Sequence, residues 1–127
     1  NGVIRIYLCG VTVYDKSHIG HARTIIVIDL LNRLLRDVKF KVNFVQNFTD
    51  VDDKIIKKAE VEATSAEEIA HKFILQYQQD FDRLNVLQAA KYPKATDNIA
   101  EMTNIIDKLL ENGHAYLEIH ILQTILY

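Results

Sequence analysis

The chain has one cysteine, one proline and four glycines, and it lacks any long apolar run. A single cysteine, Cys9, excludes an internal disulfide and fits a reducing compartment. The longest apolar stretch, Ile25 to Leu31, is interrupted by Asp29. A membrane span needs about 20 apolar residues, so no membrane contact is expected. The first residues show no basic region leading into an apolar core, so no signal peptide is expected and the reading is cytoplasmic. Charge of one sign is also missing: 15 Lys and Arg against 17 Asp and Glu leave a net −2. Such a balance does not hold nucleic acid non-specifically. Any nucleic-acid contact needs a local patch or a part of the protein outside these residues. No internal repeat and no Pro-, Gly- or Ser-rich linker divides the 127 residues, a normal length for one domain.

What remains is a globular composition, 49% hydrophobic and 25% charged, arranged in clear periods. Val3 to Cys9 alternates and predicts a strand, with Ile4, Ile6 and Leu8 on one face and Val3, Arg5, Tyr7 and Cys9 on the other. Gly10 ends it and permits a turn. A loop follows, and from Ile19 the apolar residues Ala22, Ile25, Ile26, Val27, Ile28, Leu30, Leu31, Leu34 and Leu35 predict a helix buried on most of its surface. Phe40 to Asn47 alternates again and predicts a second strand. Strand, helix and strand with short links predict a right-handed βαβ unit with adjacent parallel strands. The expected class is α/β, a parallel sheet followed by helices. Ligands in such sheets bind beyond the strand C-terminal ends, so Cys9-Gly10 and Asn47-Phe48-Thr49 are expected to line one pocket.

Thr49 or Asp50 is expected to cap the next helix. Ser65 and Glu68 form a capping box ahead of a stripe of Ile69, Phe73, Tyr77, Phe81 and Leu84. Tyr92-Pro93-Lys94 breaks the chain. Thr96 or Asp97 then caps a last helix with Ile99, Met102, Ile106, Leu109 and Leu110 inward, ended by Asn112-Gly113. Residues 115–127 read as a further strand. Two parts of one domain are expected, residues 1–60 carrying the βαβ unit and 61–127 a helical continuation.

The chemistry concentrates in the first loop. His18 and His21 are three apart and share a helix face, where their N–H groups can donate to phosphate oxygens. Gly20 between them removes a side chain and lets a flat ligand approach the backbone. A helix N-terminus after a strand favours a phosphate. The alternative is a surface histidine pair with a packing glycine. Cys9 reads as a buried small hydrophobe, a zinc ligand or a reactive thiolate. His114, Glu118 and His120 are too loosely spaced to form a metal motif. Asp50, Asp52 and Asp53 read as acids at a helix start, with cation chelation the less favoured alternative. Tyr7, Tyr14 and Tyr77 are expected to pack, and Lys54, Lys57, Lys58, Arg33 and Arg36 to be solvated charge.

His18-Ile19-Gly20-His21 matches the HIGH signature of class I aminoacyl-tRNA synthetases. The run from Tyr7 through Cys9-Gly10, Thr12-Val13-Tyr14-Asp15 and the HIGH motif to Ala22-Arg23 resembles cysteinyl-tRNA synthetases in particular. So does Asn47-x-Thr49-Asp50-Val51-Asp52-Asp53-Lys54-Ile55-Ile56. Pro93-x-Ala95-Thr96 and Gly113-His114-Ala115-Tyr116 extend the match to about residue 118.

The resemblance implies a Rossmann-like catalytic domain that activates L-cysteine with ATP and Mg2+ and transfers it to tRNA(Cys). It implies ATP binding and transition-state stabilisation by His18 and His21, with Gly20 in the ATP site. It implies Zn2+ with Cys9 as one ligand, the zinc selecting the substrate thiolate. Gly10, Thr12, Asn47 and Thr49 are implied contacts of the amino acid. The family's other zinc ligands, its KMSKS signature and its tRNA-reading parts fall outside the matched region. Val11, Lys39 and Gln46 stand where proline, glycine and arginine are common. The chain therefore reads as the N-terminal half of a catalytic domain, inactive or very weak alone, with self-association through an open sheet edge expected. The rivals are a cysteine–amino-sugar ligase and a stand-alone domain that binds ATP, cysteine or a partner without turnover.

Overall fold

The computed structural model describes residues 2–117. The strand expected over 115–127 lies largely outside these residues, and Glu118 and His120 lie wholly outside them. The order is β1 (Val3–Leu8), α1 (Ile19–Asp37), β2 (Lys41–Gln46), α2 (Asp53–Glu62), α3 (Ala66–Arg83), a single 3-10 turn (Thr96–Asn98) and α4 (Ile99–Glu111). Two compact units result, one up to Asp97 and one from Asn98 onward.

In the first unit β1 and β2 pair in parallel, with Val3 opposite Lys41 and Leu8 opposite Gln46. The alternation behaves as expected: Ile4, Ile6 and Leu8 are partly covered while Val3, Arg5 and Tyr7 are exposed. The pairing resumes beyond the strands at a Thr12–Thr49 bridge. On the other side of β2 the segment around Pro93 runs parallel through bridges at Val45–Lys91 and Phe48–Lys94. Pro93 has no N–H, which interrupts the ladder there, but its carbonyl accepts the Phe48 N–H at 2.9 Å. Helix α3 has already ended at Arg83, so Pro93 breaks no helix and serves as a sheet partner. The core lies in this unit, where Val13, Ile25, Phe48, Ile55, Ile69, Phe73, Tyr77 and Phe81 form one buried cluster.

Several expectations fail for identifiable reasons. α1 is not buried on most of its surface: Ile25 and Asn32 are buried, while Ile26, Val27, Leu30, Leu31 and Leu34 are exposed. One small sheet covers one side of a helix and leaves the rest open. Helix α2 is capped by Asp52, which accepts the Lys54 N–H at 2.8 Å, and not by Thr49 or Asp50. Asp50 is buried and accepts the Thr96 N–H at 3.0 Å and the Thr96 hydroxyl at 2.5 Å. Thr96 is therefore engaged by Asp50, and α4 begins at Asn98 without a side-chain cap. The Ser65–Glu68 capping box forms, and Ile69, Phe73, Tyr77 and Phe81 are buried. Leu84 is exposed at the α3 C-cap, where Asn85 takes a left-handed φ of 55°.

The second unit differs from the expected inward stripe. Among the described residues Ile99, Met102, Ile106 and Leu109 are exposed, and α4 has no buried residue. Its end is as expected: Gly113 at φ +71° donates to Leu110, and His114 donates to Leu109. Helix α1 ends the same way with a residue less suited to it. Lys39 takes φ +69°, with Lys39 N–H on Arg36 and Phe40 N–H on Leu35. The positions expected to be solvated are partly engaged. Lys58 pairs with Asp15 at 3.5 Å and lies 4.5 Å from the Phe73 ring centre; Arg33 pairs with Asp29 at 2.7 Å and also donates to the Asn85 carbonyl. Arg36 donates to Asn32 at 2.8 Å.

Candidate active site

The two strand ends meet as the βαβ order requires. Gly10 N–H donates to Asn47 Oδ1 at 2.6 Å. Val13 N–H donates to the Thr49 carbonyl at 3.2 Å, and Thr49 N–H to the Val11 carbonyl at 3.1 Å. Gly10 is required here by space: a Cβ on it would lie 1.4 Å from the Asn47 carbonyl oxygen. It is not among the residues with positive φ, so the turn freedom expected of it is not what the position uses.

Helix α1 starts in the same region with an unusual cap. His18 is the N-cap, and its Nδ1 accepts the Gly20 N–H at 3.1 Å. His21 Nδ1 accepts the His18 N–H at 3.3 Å. The rings stack with centroids 3.8 Å apart and 21° between planes. A nitrogen that accepts a hydrogen bond carries no proton, so the network assigns both rings as neutral with the proton on Nε2. Each histidine thereby holds the helix start with one nitrogen and keeps an N–H donor on the other. Burial, and then the neighbouring His18, push the His21 pKa below its ordinary 6.5, which favours that neutral state. The space over Gly20 is taken by His18: an added Cβ would meet the ring Cε1 at 2.9 Å.

Two stretches of cleft open here. One of ≈ 340 Å³ is lined by Leu8, Cys9, Gly10, Val11, Thr12, His21, Thr24, Ile25 and Gln46. The other, of ≈ 270 Å³, is lined by Thr12, Tyr14, Asp15, Lys16, His18, His21 and Lys54. They share Thr12 and His21. Cys9 and Gly10 thus border one side and the histidine pair the other. Thr49 and Asn47 stand behind them, through Thr12 and Gly10. A larger groove of ≈ 590 Å³ runs along α3 past Glu67, His71 and Lys72 and contains none of these residues.

The thiol of Cys9 is exposed, which removes the reading of a buried hydrophobe. Among the described residues no three His, Cys, Asp or Glu side chains converge as a metal site. One thiol does not make a tetrahedral zinc centre, so these residues alone do not hold the metal. Tyr7, expected to pack, is exposed and donates its hydroxyl to Asn47 Oδ1 at 2.9 Å. Tyr77 is buried and donates to Gln46 Oε1 at 2.8 Å. Tyr14 lies under Lys54 Nζ, 5.2 Å from the ring centre. Residue type alone gave no signal for the Tyr7–Asn47 contact, although strand register puts Tyr7 beside Val45, two residues before Asn47.

Residues 1–124 match the family described as tRNA synthetases class I (C) catalytic domain. The chain is 50% identical over 115 residues to the cysteine–tRNA ligase of Solidesulfovibrio magneticus, covering 91% of this chain and 24% of that protein. It is 53% identical over 117 residues to the enzyme of Lawsonia intracellularis, with 92% and 24% covered. It therefore spans about a quarter of the length of these curated relatives. Among solved structures, Mycobacterium tuberculosis methionyl-tRNA synthetase in complex with methionyl-adenylate superposes with a TM-score of 0.63 at 20% identity, over 72% of this chain and 18% of that one. That likeness shows a shared fold. On the family match and the close relatives together, the chain belongs to the class I (C) tRNA synthetase catalytic-domain family.

Proposed function

We propose that this chain carries the ATP-facing part of a cysteine–tRNA ligase of the cytoplasm. The observation that carries the reading is the histidine pair: two stacked rings whose Nδ1 atoms are held by backbone and whose Nε2–H groups are left as donors at a helix N-terminus. In the reaction a cysteine carboxylate oxygen bonds to the α-phosphorus of ATP, with Mg2+, and the bond to the bridging oxygen breaks as pyrophosphate leaves. The cysteinyl group then passes to a terminal hydroxyl of tRNA(Cys), and AMP leaves. His18 and His21 donate to phosphate oxygens as charge builds there, and their fixed Nδ1 contacts mean that no reorganisation is needed at that moment. Gly20 gives its space to the His18 ring. Gly10, Thr12 and Thr49 border the amino-acid end. Cys9 supplies one thiolate to a Zn2+ whose other ligands come from elsewhere in such an enzyme; when bound, that ion selects a substrate thiolate over a hydroxyl. The exposed row on α1 and the open edge of β1 are surfaces for further protein, either the remainder of such an enzyme or a second copy.

The test replaces the matching quarter of the S. magneticus enzyme by residues 1–117. The hybrid is expected to catalyse cysteine-dependent ATP–pyrophosphate exchange, and His18→Ala to lower it by about 10²- to 10³-fold. The 127-residue chain alone is expected to show no exchange. A folded hybrid without exchange, or exchange unaffected by His18→Ala, contradicts the reading.

A further inference from the structure

The two stretches of cleft share Thr12 and His21 but differ in charge. The stretch of ≈ 340 Å³ on the Cys9 side has no Lys, Arg, Asp or Glu in its lining. The stretch of ≈ 270 Å³ has two lysines, Lys16 and Lys54, together with the histidine pair. Its one carboxylate, Asp15, is already answered: Lys58, which is not part of the lining, stands 3.5 Å from it, and it accepts the Lys16 N–H at 2.8 Å. Among the described residues neither Lys16 nor Lys54 forms an ion pair. Lys54 is placed from two sides. The Asp52 cap holds its N–H at 2.8 Å in the first turn of α2. Its ammonium stands over the Tyr14 ring, 5.2 Å from the centre, and Tyr14 packs against the core. A cation over a ring at an exposed site is held weakly, so the ammonium is kept at the cleft and exchanges readily for a charged partner. The stretch thus combines two positive charges with two neutral N–H donors. A single phosphate is served by the histidines; a chain of phosphates, charged along its length, also matches the lysines.

We propose that Lys54, with Lys16 in the same stretch of cleft, holds the β- and γ-phosphates of a nucleoside triphosphate whose α-phosphate lies at the histidine pair. The triphosphate then runs from His21 toward the first turn of α2, away from the Cys9 end. When a carboxylate oxygen bonds to the α-phosphorus, the electron pair of the breaking bond passes to the bridging oxygen and leaves with pyrophosphate. Lys54 and Lys16 stay protonated and hold that charge; they move no proton. Lys54 touches the leaving group and is a catalytic residue, where residue type alone suggests solvated charge. That the anion is ATP rests on the ligase reading; that the stretch fits a polyphosphate rests on its charges alone.

The experiment titrates the full 127-residue chain with inorganic tripolyphosphate and with orthophosphate at one ionic strength, and follows the Lys54 Cε–Hε and His21 imidazole resonances by NMR. Tripolyphosphate is expected to half-saturate the wild type at a concentration about tenfold lower than orthophosphate, the ratio of one charge-assisted hydrogen bond. Lys54→Met, read at His21, is expected to weaken tripolyphosphate about tenfold and to leave orthophosphate within about twofold. Lys54→Arg keeps the charge and is expected to stay within about threefold of wild type. Lys57→Met removes the same charge from α2 outside the cleft lining and is expected to change neither anion, which separates contact from net charge. Equal affinity for the two anions, no response to tripolyphosphate, a Lys54→Met chain that binds it as wild type does, or an equal loss in Lys57→Met overturns the proposal. A chain that meets these expectations while the hybrid shows no exchange supports the polyphosphate site and refutes the ligase reading alone.

Discussion

Gly10→Ala is the sharpest perturbation the strand ends allow. The new methyl carbon would lie 1.4 Å from the Asn47 carbonyl oxygen and 2.4 Å from its carbonyl carbon. Non-bonded carbon contacts settle near 3.5 Å, so a gap of about 2 Å must open. The obstructing atoms are backbone and cannot swing aside as a side chain would. The end of β2 has to move, and three hydrogen bonds depend on where it is: Gly10 N–H to Asn47, Val13 N–H to Thr49 and Thr49 N–H to Val11. At about 1 kcal/mol each, with about 1–3 kcal/mol for overpacking, the expected loss is about 4–6 kcal/mol. That is a large share of ordinary domain stability, about 5–15 kcal/mol, and should lower the melting temperature by about 10 °C or more. Far-UV circular dichroism during heating and urea unfolding reads it. Gly2→Ala is the control, because its nearest neighbour is the Phe40 ring at 3.9 Å and the change should stay within about 0.5 kcal/mol. A Gly10→Ala protein that melts with wild type and keeps the Thr49 amide shift would refute the close-approach argument.

Lys39→Gly should stabilise the chain by about 0.5–1 kcal/mol, because φ +69° is strained for lysine and free for glycine; an unchanged urea midpoint would contradict that. Asp50→Ala removes both acceptors of Thr96 and should cost about 1–2 kcal/mol, with faster hydrogen exchange at the Thr96 amide. The His21 pKa is lowered in the folded chain, so the unfolded chain binds more protons below about pH 6.5. Its contribution to stability is therefore complete above that pH and is lost as pH falls through the lowered folded value. Stability curves against pH should show this slope, and His21→Gln should remove it.

The sequence made the first half of the fold readable because its signals are local. Period-two alternation marks β1 and β2, and Ser65–Glu68 marks the start of α3, so each element declares itself within a few residues. The meeting of Gly10 with Asn47 followed from topology alone. What local pattern did not show was burial. The apolar faces of α1 and α4 read as inward because periodicity reports amphipathicity and not the presence of a covering surface. Competing polar partners were equally hidden. Asp50 and Thr96 both look like helix caps, yet they bind each other across 46 residues, and Asp52 and Asn98 are left at the helix starts. At the site, the motif located His18 and His21, but not that the two rings cap the helix through one another.

The central claim is that His18 and His21 hold the helix start with Nδ1 and offer Nε2–H to the phosphates of ATP. Long-range 1H–15N correlation spectra of the imidazoles read the tautomers directly, at a pH above 6.5 and with ATP titrated in. The account predicts that both rings carry the proton on Nε2 and that ATP moves the Nε2 resonances and leaves those of Nδ1 in place. Protons on Nδ1 in the free chain, or ATP acting on neither ring, would contradict it.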